Sequence, residues 1–162
     1  AHKLGAPFNP ELAIGAITGS GEILLDDLLV RELRIADKDI ADEAEHQRKE
    51  IERRMSAYRK DRPPLDVQNK TVVLIDDGVA TGSTVLASLR ALRRQQPAKL
   101  ILAIPVGPAD TVRRLASECD QLIVLDTPEP FWAVGRFYAQ FEQTSDAEVI
   151  ELLEAQYLLR EE

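Results

Sequence analysis

Residues 72–84 read VVLIDDGVATGST. The apolar run 72–75 is followed by two carboxylates, Asp76 and Asp77, and then by a series of small and hydroxyl-bearing residues. From Val85 onward, apolar side chains recur at helical spacing. The order of strand, acidic pair, small-residue loop and helix is typical of a parallel α/β sheet at the carboxyl end of a strand, which is where such sheets bind ligands.

The loop after the acidic pair is suited to bind a phosphate group. Small residues let the main chain approach a ligand closely, and the following helix directs backbone amides and a partial positive charge toward it. The acidic pair would repel a phosphate but can accept hydrogen bonds from sugar hydroxyls. We therefore predict a ribose beside Asp76 and Asp77, with its 5'-phosphate in the loop. The loop residues are Gly78, Val79, Ala80, Thr81, Gly82, Ser83 and Thr84.

Two nucleotide-binding motifs do not match these residues. No lysine follows Gly82 as a Walker A loop requires, and the glycine spacing is not that of the dinucleotide-binding fingerprint. A plain strand-to-helix turn, with Thr81 or Ser83 as the N-cap, is the remaining alternative. It accounts for an isolated acidic pair but not for the whole ordered series of features.

Two more apolar runs continue the alternation of strands and helices. Residues 100–104 and 122–125 are short continuous apolar runs like 71–75, and the segments between the runs, 85–92 and 112–116, have one apolar side. This alternation predicts a parallel sheet joined by right-handed crossovers. Continuous apolar strands further predict a sheet that is covered on both faces. The predicted fold class is therefore α/β.

The residues before this series of strands and helices have a different sequence pattern. Residues 13–17 and 22–25 flank the flexible sequence TGSG, residues 18–21, which predicts a hairpin. The highly charged run from Asp37 to Lys60 carries apolar residues at helical spacing, which predicts one long helix that ends at Arg62-Pro63-Pro64. Both elements precede the strand that leads into the phosphate loop.

The long charged helix and the terminal helix have distinct sequence signals. The mixed charges of the long helix are typical of a solvated face, and a role as a cover over the site or as the arm of a homodimer stays open. Ser145 and Glu148 have the spacing of a capping box ahead of an apolar stretch, which predicts a terminal helix.

Length and composition limit the classes of protein to which the chain can belong. The chain has 162 residues, which predicts one domain, 1–162, with a substantial core. It is 44% hydrophobic and 30% charged, and no apolar run approaches the ~18 to 20 residues of a membrane span. A formal net charge of −8 opposes binding to nucleic acid or anionic lipid. We expect neither a nucleic acid nor a membrane as a partner.

The cysteine and histidine content points to a reducing compartment and to no zinc site. Cys119 is the only cysteine, so the chain cannot form an internal disulfide. His2 and His46 are the only histidines, which leaves no Cys/His cluster of the kind that binds zinc. We expect a cytoplasmic protein.

Residues 73–84 resemble the phosphoribosyl diphosphate (PRPP) binding motif of type I phosphoribosyltransferases. Residues 3–16, KLGAPFNPELAIGA, and 127–135, TPEPFWAVG, are similar to one bacterial subgroup of that family. The resemblance extends from about Lys3 to Leu153. Gly78 departs from the broad motif, in which an apolar residue is commoner, although the subgroup shares the glycine.

The resemblance implies a reaction and a role for each part of the motif. The implied reaction transfers the phosphoribosyl group of PRPP to an acceptor, usually a nitrogen base, and releases pyrophosphate. Asp76 and Asp77 would be the catalytic pair, holding the ribose hydroxyls and offsetting positive charge at C1, while Ala80–Thr84 would bind the 5'-phosphate. Mg²⁺ is implied as a cofactor that binds through PRPP rather than through protein ligands.

One part of the family pattern is not found in this chain. Type I enzymes bind pyrophosphate with a loop, often Arg-Gly-Gly, that follows an earlier central strand, and the resemblance begins after the place of that strand. It therefore predicts a phosphoribosyltransferase domain that is incomplete at its N-terminus. The sequence is then a fragment, or a partner supplies the strand, or the chain only binds its ligand. The last case makes a noncatalytic PRPP or nucleotide sensor the rival function.

Three further residues are candidates for contacts with the pyrophosphate or the acceptor. Lys3 carries the charge that an anionic group needs. Phe131 and Trp132 follow the last predicted strand at the same edge of the sheet, where a ring can stack on a base, although core packing is the alternative for both. Arg113 and Arg114, by contrast, lie on a helix whose other side is apolar, so we expect both to be exposed.

Overall fold

Two three-stranded sheets and the helices around them make up the fold. The computed structural model describes residues 1–60, 62 and 65–158. In chain order the elements are β1 (His2–Ala6), β2 (Asn9–Ile17), β3 (Ile23–Leu25), α1 (Asp27–Glu32), α2 (Asp37–Arg59), β4 (Thr71–Ile75), α3 (Ser83–Arg94), β5 (Lys99–Val106), α4 (Ala109–Ala116), β6 (Gln121–Asp126), a 3₁₀ turn (Val134–Phe137) and α5 (Asp146–Leu158).

The strands β4, β5 and β6 form a parallel sheet in that order, which confirms the predicted α/β class. Helix α3 connects β4 to β5, and α4 connects β5 to β6. Leu89 of α3 and Leu115 of α4 belong to one fully buried cluster with Leu100 and Leu102 of β5. Removing each such side chain from water contributes roughly 1.5–3 kcal/mol. This cluster fixes both helices on the sheet.

The opposite face of the parallel sheet is open across the described part of the chain, so the prediction that both faces are covered was wrong. Ile75 of β4 is 74% exposed and Leu125 of β6 is 81% exposed, and Val73 and Ile123 project from the same face. Two consecutive crossovers of one hand, made in one direction across a sheet, place both helices on the same face. The apolar runs form the predicted strands, but these helices bury only one side of each strand.

The strands β1, β2 and β3 form a separate antiparallel sheet. The predicted hairpin is confirmed as β2 and β3. Strand β1 was not predicted, because its five residues are too few to show a clear alternation. It pairs along β2 with Lys3 opposite Ala16, which brings the N-terminal lysine to this sheet.

The long charged helix is confirmed as α2. Its Ile40, Ala44 and Ile51 are buried against the antiparallel sheet, and most of its charged residues are exposed. Glu43 is half-buried and accepts a hydrogen bond from the Gly5 amide of β1 at 3.5 Å. Pro63 and Pro64, where the sequence predicts that this helix has ended, lie outside the described residues.

The terminal helix α5 begins with the predicted capping box. The amide of Ser145 donates to Oε2 of Glu148 at 2.8 Å, and the amide of Glu148 donates to Oγ of Ser145 at 3.3 Å. Helix α5 packs on α2, where Nη1 of Arg53 lies 2.7 Å from Oδ2 of Asp146.

Helix α3 lies between the two sheets. It contacts β5 on one side and all three strands of the antiparallel sheet on the other. Its first turn therefore lies where β1 and β2 approach the carboxyl end of β4. This junction holds the candidate site. Within the described residues, no helix is both long enough and apolar enough to cross a membrane.

We predict that the two faces of the parallel sheet respond differently to the same substitution. Leu102→Ala removes a fully buried side chain and should lower the free energy of unfolding by about 2–5 kcal/mol. Leu125→Ala acts on the open face and should cost less than about 1 kcal/mol. Chemical denaturation of both variants of the whole protein measures the difference. Equal losses would show that the second face is covered in solution.

Candidate functional site

A cavity of about 260 Å³ lies at the carboxyl end of β4. It is lined by Lys3 of β1, Ala13 of β2, Asp76 and residues 78–85. The cavity thus brings together Asp76, the small-residue loop and the first turn of α3, and adds a cation from a strand far away in the chain, whereas Asp77 is not among its lining residues.

The two carboxylates of the acidic pair have different surroundings. Asp76 lines the cavity and is half-buried, and its Oδ1 accepts a hydrogen bond from the Asp77 amide at 3.0 Å. Burial raises the pKa of the Asp76 carboxyl, and the bond from the Asp77 amide opposes this shift. Asp77 is exposed, and its carbonyl oxygen accepts a hydrogen bond from the Tyr138 hydroxyl at 2.6 Å. Asp76 is therefore the carboxylate that faces a ligand in the cavity.

Gly78 is required by a close approach of two other segments. Its φ is +154°, and a Cβ placed there would lie 2.7 Å from Cγ1 of Val134 and 2.9 Å from Cγ1 of Val106. Any larger side chain at this position would clash with both. The glycine therefore lets the segment that follows β6 pack directly on the loop.

The backbone amides of the loop divide into two groups. The amide of Val79 is bonded to the Val106 carbonyl at 3.0 Å, which fixes the loop to the sheet. The amides of Ala80, Thr81 and Gly82 make no hydrogen bond to any described residue. Amides without an acceptor at the wall of a cavity form a site that attracts an anion.

The start of α3 has no side-chain cap. Its N-cap is Gly82, in the left-handed conformation with φ +74° and ψ +5°, so neither Thr81 nor Ser83 is the N-cap. The Thr81 Oγ1 lies 3.5 Å from the Ser83 amide, at the limit of a hydrogen bond. The helix dipole therefore meets the cavity without the polar side chain that normally covers it.

Helix α4 holds the loop from the side away from the cavity. The Thr111 hydroxyl donates to the Ala80 carbonyl at 3.0 Å, and the Arg114 guanidinium donates to the Thr81 carbonyl. Sequence reasoning treated Arg114 as a plain surface residue and did not single out Thr111. The available signal was spacing, because Thr111 is four residues before Leu115 and thus shares the buried face of a short helix.

The remaining predicted residues lie at different distances from this cavity. Lys3 is part of its lining. Phe131 and Trp132 are not among the lining residues: Phe131 stacks on Phe137 with ring centroids 5.3 Å apart, and Trp132 is 72% exposed. The described residues contain no group of three or more His, Cys, Asp or Glu side chains that could hold a metal ion.

A comparison with models of protein families shows which family the chain belongs to. The phosphoribosyl transferase domain model matches residues 2–141. The chain belongs to the phosphoribosyl transferase family. This membership confirms the resemblance carried by residues 73–84, and the parallel sheet agrees with it.

Relatives of this phosphoribosyl transferase chain are longer than it is. "Putative phosphoribosyl transferase Rv0571c" of Mycobacterium tuberculosis strain H37Rv is 40% identical over 153 residues, which are 94% of this chain and 34% of that protein. The ribose-phosphate pyrophosphokinase of Xanthomonas campestris pv. campestris is 40% identical over 90 residues, 52% of this chain and 27% of that protein. The chain thus spans about a third of the length of its curated relatives.

A solved structure has the same fold. The crystal structure of TT1426 from Thermus thermophilus superposes with a TM-score of 0.69 at 36% identity, over 94% of this chain and 72% of that chain. The likeness therefore extends over nearly the whole chain.

We predict that Gly78→Ala destabilises the fold. The new methyl group would clash with two valine side chains, and such overpacking costs about 1–3 kcal/mol of unfolding free energy. Gly19→Ala is the matched control, because no described atom lies within 4 Å of the added Cβ. Thermal unfolding of both variants measures the effect. A Gly78 variant as stable as the Gly19 variant would contradict the close packing of this loop.

We also predict that Asp76→Asn stabilises the protein at neutral pH. A carboxyl whose pKa is raised by folding binds its proton more tightly in the folded state, so its ionisation at pH 7 opposes folding. The asparagine removes this cost. The advantage should shrink as the pH falls below the ordinary aspartate range, where the wild-type carboxyl is protonated in both states. Denaturant titrations of both proteins across this pH range measure it, and an advantage that grows toward acid would contradict the assignment.

Proposed function

We propose that this chain catalyses transfer of the phosphoribosyl group of PRPP to a nitrogen base. In this reaction the bond between C1 of the ribose and the pyrophosphate oxygen breaks, with its electron pair leaving on pyrophosphate. A bond forms between C1 and a nitrogen of the acceptor, which loses a proton. Positioning and electrostatics carry most of such a reaction, and it needs no protein nucleophile.

One observation carries the proposal: Asp76 and the loop residues whose amides have no acceptor among the described residues line the same cavity. A ribose 5-phosphate has hydroxyls at one end and a dianionic phosphate at the other. The carboxylate can accept from the hydroxyls, and the amides of Ala80–Thr84 can donate to the phosphate. The opposite orientation of the ligand would place its phosphate against the Asp76 carboxylate, so the ligand binds in a single orientation.

Family membership and the names of relatives support this ligand. One relative is named as a phosphoribosyl transferase and another as a ribose-phosphate pyrophosphokinase. A phosphorylated ribose is common to both names. We propose that the cavity holds this shared group of PRPP.

The acidic pair has a second role in this proposal. When the bond to pyrophosphate breaks, the ribose ring gains positive charge at C1. Asp76, whose carboxylate is half-buried, stabilises that charge more strongly than an exposed group would, because solvent screens it less. Asp77 contributes its carboxylate to the ribose hydroxyls from the exposed side.

We propose that a magnesium ion arrives with PRPP and binds through the oxygens of that substrate rather than through protein ligands. Mg²⁺ prefers oxygen ligands and is commonly bound by substrate phosphates and water. When bound, the ion neutralises the charge of the departing pyrophosphate.

Lys3 and the two rings complete the proposed contacts. Lys3 lines the cavity and contributes a positive charge for the pyrophosphate group. Phe131 and Trp132 belong to the segment that packs on Gly78 through Val134, so this segment lies beside the acidic pair. We propose that its rings contact the acceptor base.

The single thiol of Cys119 suits a reducing cytoplasm.

Mixing the whole protein with Mg²⁺, PRPP and a panel of nitrogen bases tests the activity. Release of pyrophosphate that depends on both PRPP and one base is the expected result. Tight PRPP binding without turnover for any base would instead support a noncatalytic sensor. The absence of any calorimetric signal with PRPP would contradict both functions and leave a purely structural domain.

We predict that Asp76→Asn combined with Asp77→Asn weakens PRPP binding at least about 10-fold, because hydrogen bonds to charged groups contribute roughly 1.5–3 kcal/mol each. The loop amides are unchanged, so inorganic phosphate should bind at least as well as to the wild type. Isothermal titration calorimetry with each ligand separates the two parts of the site. Unchanged PRPP affinity in a folded double variant would contradict the ribose assignment.

A further inference from the structure

Helix α4 donates two hydrogen bonds to the phosphate loop. The Thr111 hydroxyl bonds the carbonyl of Ala80, and the Arg114 guanidinium bonds the carbonyl of Thr81. Neither side chain is among those that line the cavity. Two successive carbonyls of the loop are therefore held on the α4 side.

Peptide geometry converts these two contacts into a direction for two amides. In a trans peptide unit the carbonyl and the N–H point in opposite directions within one plane. The Ala80 carbonyl shares a unit with the Thr81 amide, and the Thr81 carbonyl shares a unit with the Gly82 amide. Holding both carbonyls toward α4 thus directs the amides of Thr81 and Gly82 to the cavity side.

The rest of the loop offers little to fix this orientation. The amides of Thr81 and Gly82 make no hydrogen bond within the described chain, and Gly82 has no side chain to restrain its backbone. Two other contacts restrain the loop: the Gly82 carbonyl accepts from the Leu86 amide at 2.8 Å, and Thr81 Oγ1 lies 3.5 Å from the Ser83 amide. Neither of them holds the carbonyl of Ala80 or Thr81, whereas α4 also packs closely on Gly82, where an added Cβ would lie 2.8 Å from Cγ2 of Thr111. Thr111 is moreover one of the few polar residues buried in the described structure.

We propose that Thr111 and Arg114 are positioning residues, which hold the peptide units at 80–81 and 81–82 so that the amides of Thr81 and Gly82 point at the 5'-phosphate. This inference rests on the proposed function, in which that phosphate occupies the loop. Arg114 has a second effect, because a carbonyl that accepts from a cation polarises its peptide unit and makes the attached N–H a stronger donor.

Three variants of the whole protein test the proposal. Thr111→Val keeps the side-chain shape and removes the hydroxyl, and Arg114→Gln removes the guanidinium. Arg113→Gln is the matched control, since Arg113 is the exposed neighbour on the same helix and the variant loses the same charge. We expect ribose 5-phosphate and PRPP to bind about 3- to 10-fold more weakly to the first two variants, as for the loss of one hydrogen bond, and unchanged to the control.

The chemical shifts of amide protons provide a measurement that a purely structural role of Thr111 and Arg114 would not change. Ribose 5-phosphate should shift the amide protons of Thr81 and Gly82 downfield in the wild type. Thr111→Val should reduce the shift at Thr81 more than at Gly82, and Arg114→Gln should do the reverse. Spectra recorded below the melting temperature of every variant keep differences in stability out of the comparison.

The outcomes distinguish this inference from the function on which it rests. If the wild type binds ribose 5-phosphate and both variants bind it with the same affinity and the same amide shifts, the positioning role is wrong and the proposed function stands. A variant that melts earlier but binds normally has the same meaning. If the wild type binds neither ribose 5-phosphate nor PRPP, the proposed function is wrong and this inference is wrong with it.

Discussion

The site depends on amide groups of the loop between β4 and α3 that have no acceptor in the described protein. The protein uses the carbonyls of this loop for its own packing and leaves the opposite ends of the same peptide units for a ligand. The helix behind them begins at Gly82, without a side-chain cap, so its dipole reinforces the same direction. Ala80 and Thr81 are exposed, so water can reach their amides in the free protein, and an anion in the cavity would take the place of that water.

The Asp76 carboxylate lowers the stability of the same region. Asp76 holds its carboxylate in a half-buried position that raises its pKa, beside a second carboxylate. A packing-only turn would have no use for such a group at the end of a strand. Amides without a protein acceptor and a half-buried acid line one cavity, and a ligand with a phosphate at one end and hydroxyls at the other would complement both. Binding would then recover stability that the free protein lacks.

Local order in the sequence predicted most of the parallel unit and the place of the candidate site. The series in residues 72–84 is contiguous, and strand, loop and helix each follow from neighbouring residues, so β4, the loop and α3 could be predicted together. The need for glycine at position 78 could not, because it arises from Val134, which follows a different strand. The contacts of Thr111 and Arg114 depend on how α4 packs on the loop, which periodicity does not encode. Apolar runs likewise showed that strands exist but not how many of their faces the helices cover.

A crystal structure of the whole protein with ribose 5-phosphate bound tests the central claim most directly. The account predicts phosphate oxygens within roughly 2.7–3.2 Å of the amide nitrogens of Thr81 and Gly82, with the ribose hydroxyls bonded to the Asp76 carboxylate. A phosphate bound elsewhere, while these two amides donate to protein carbonyls, would contradict it.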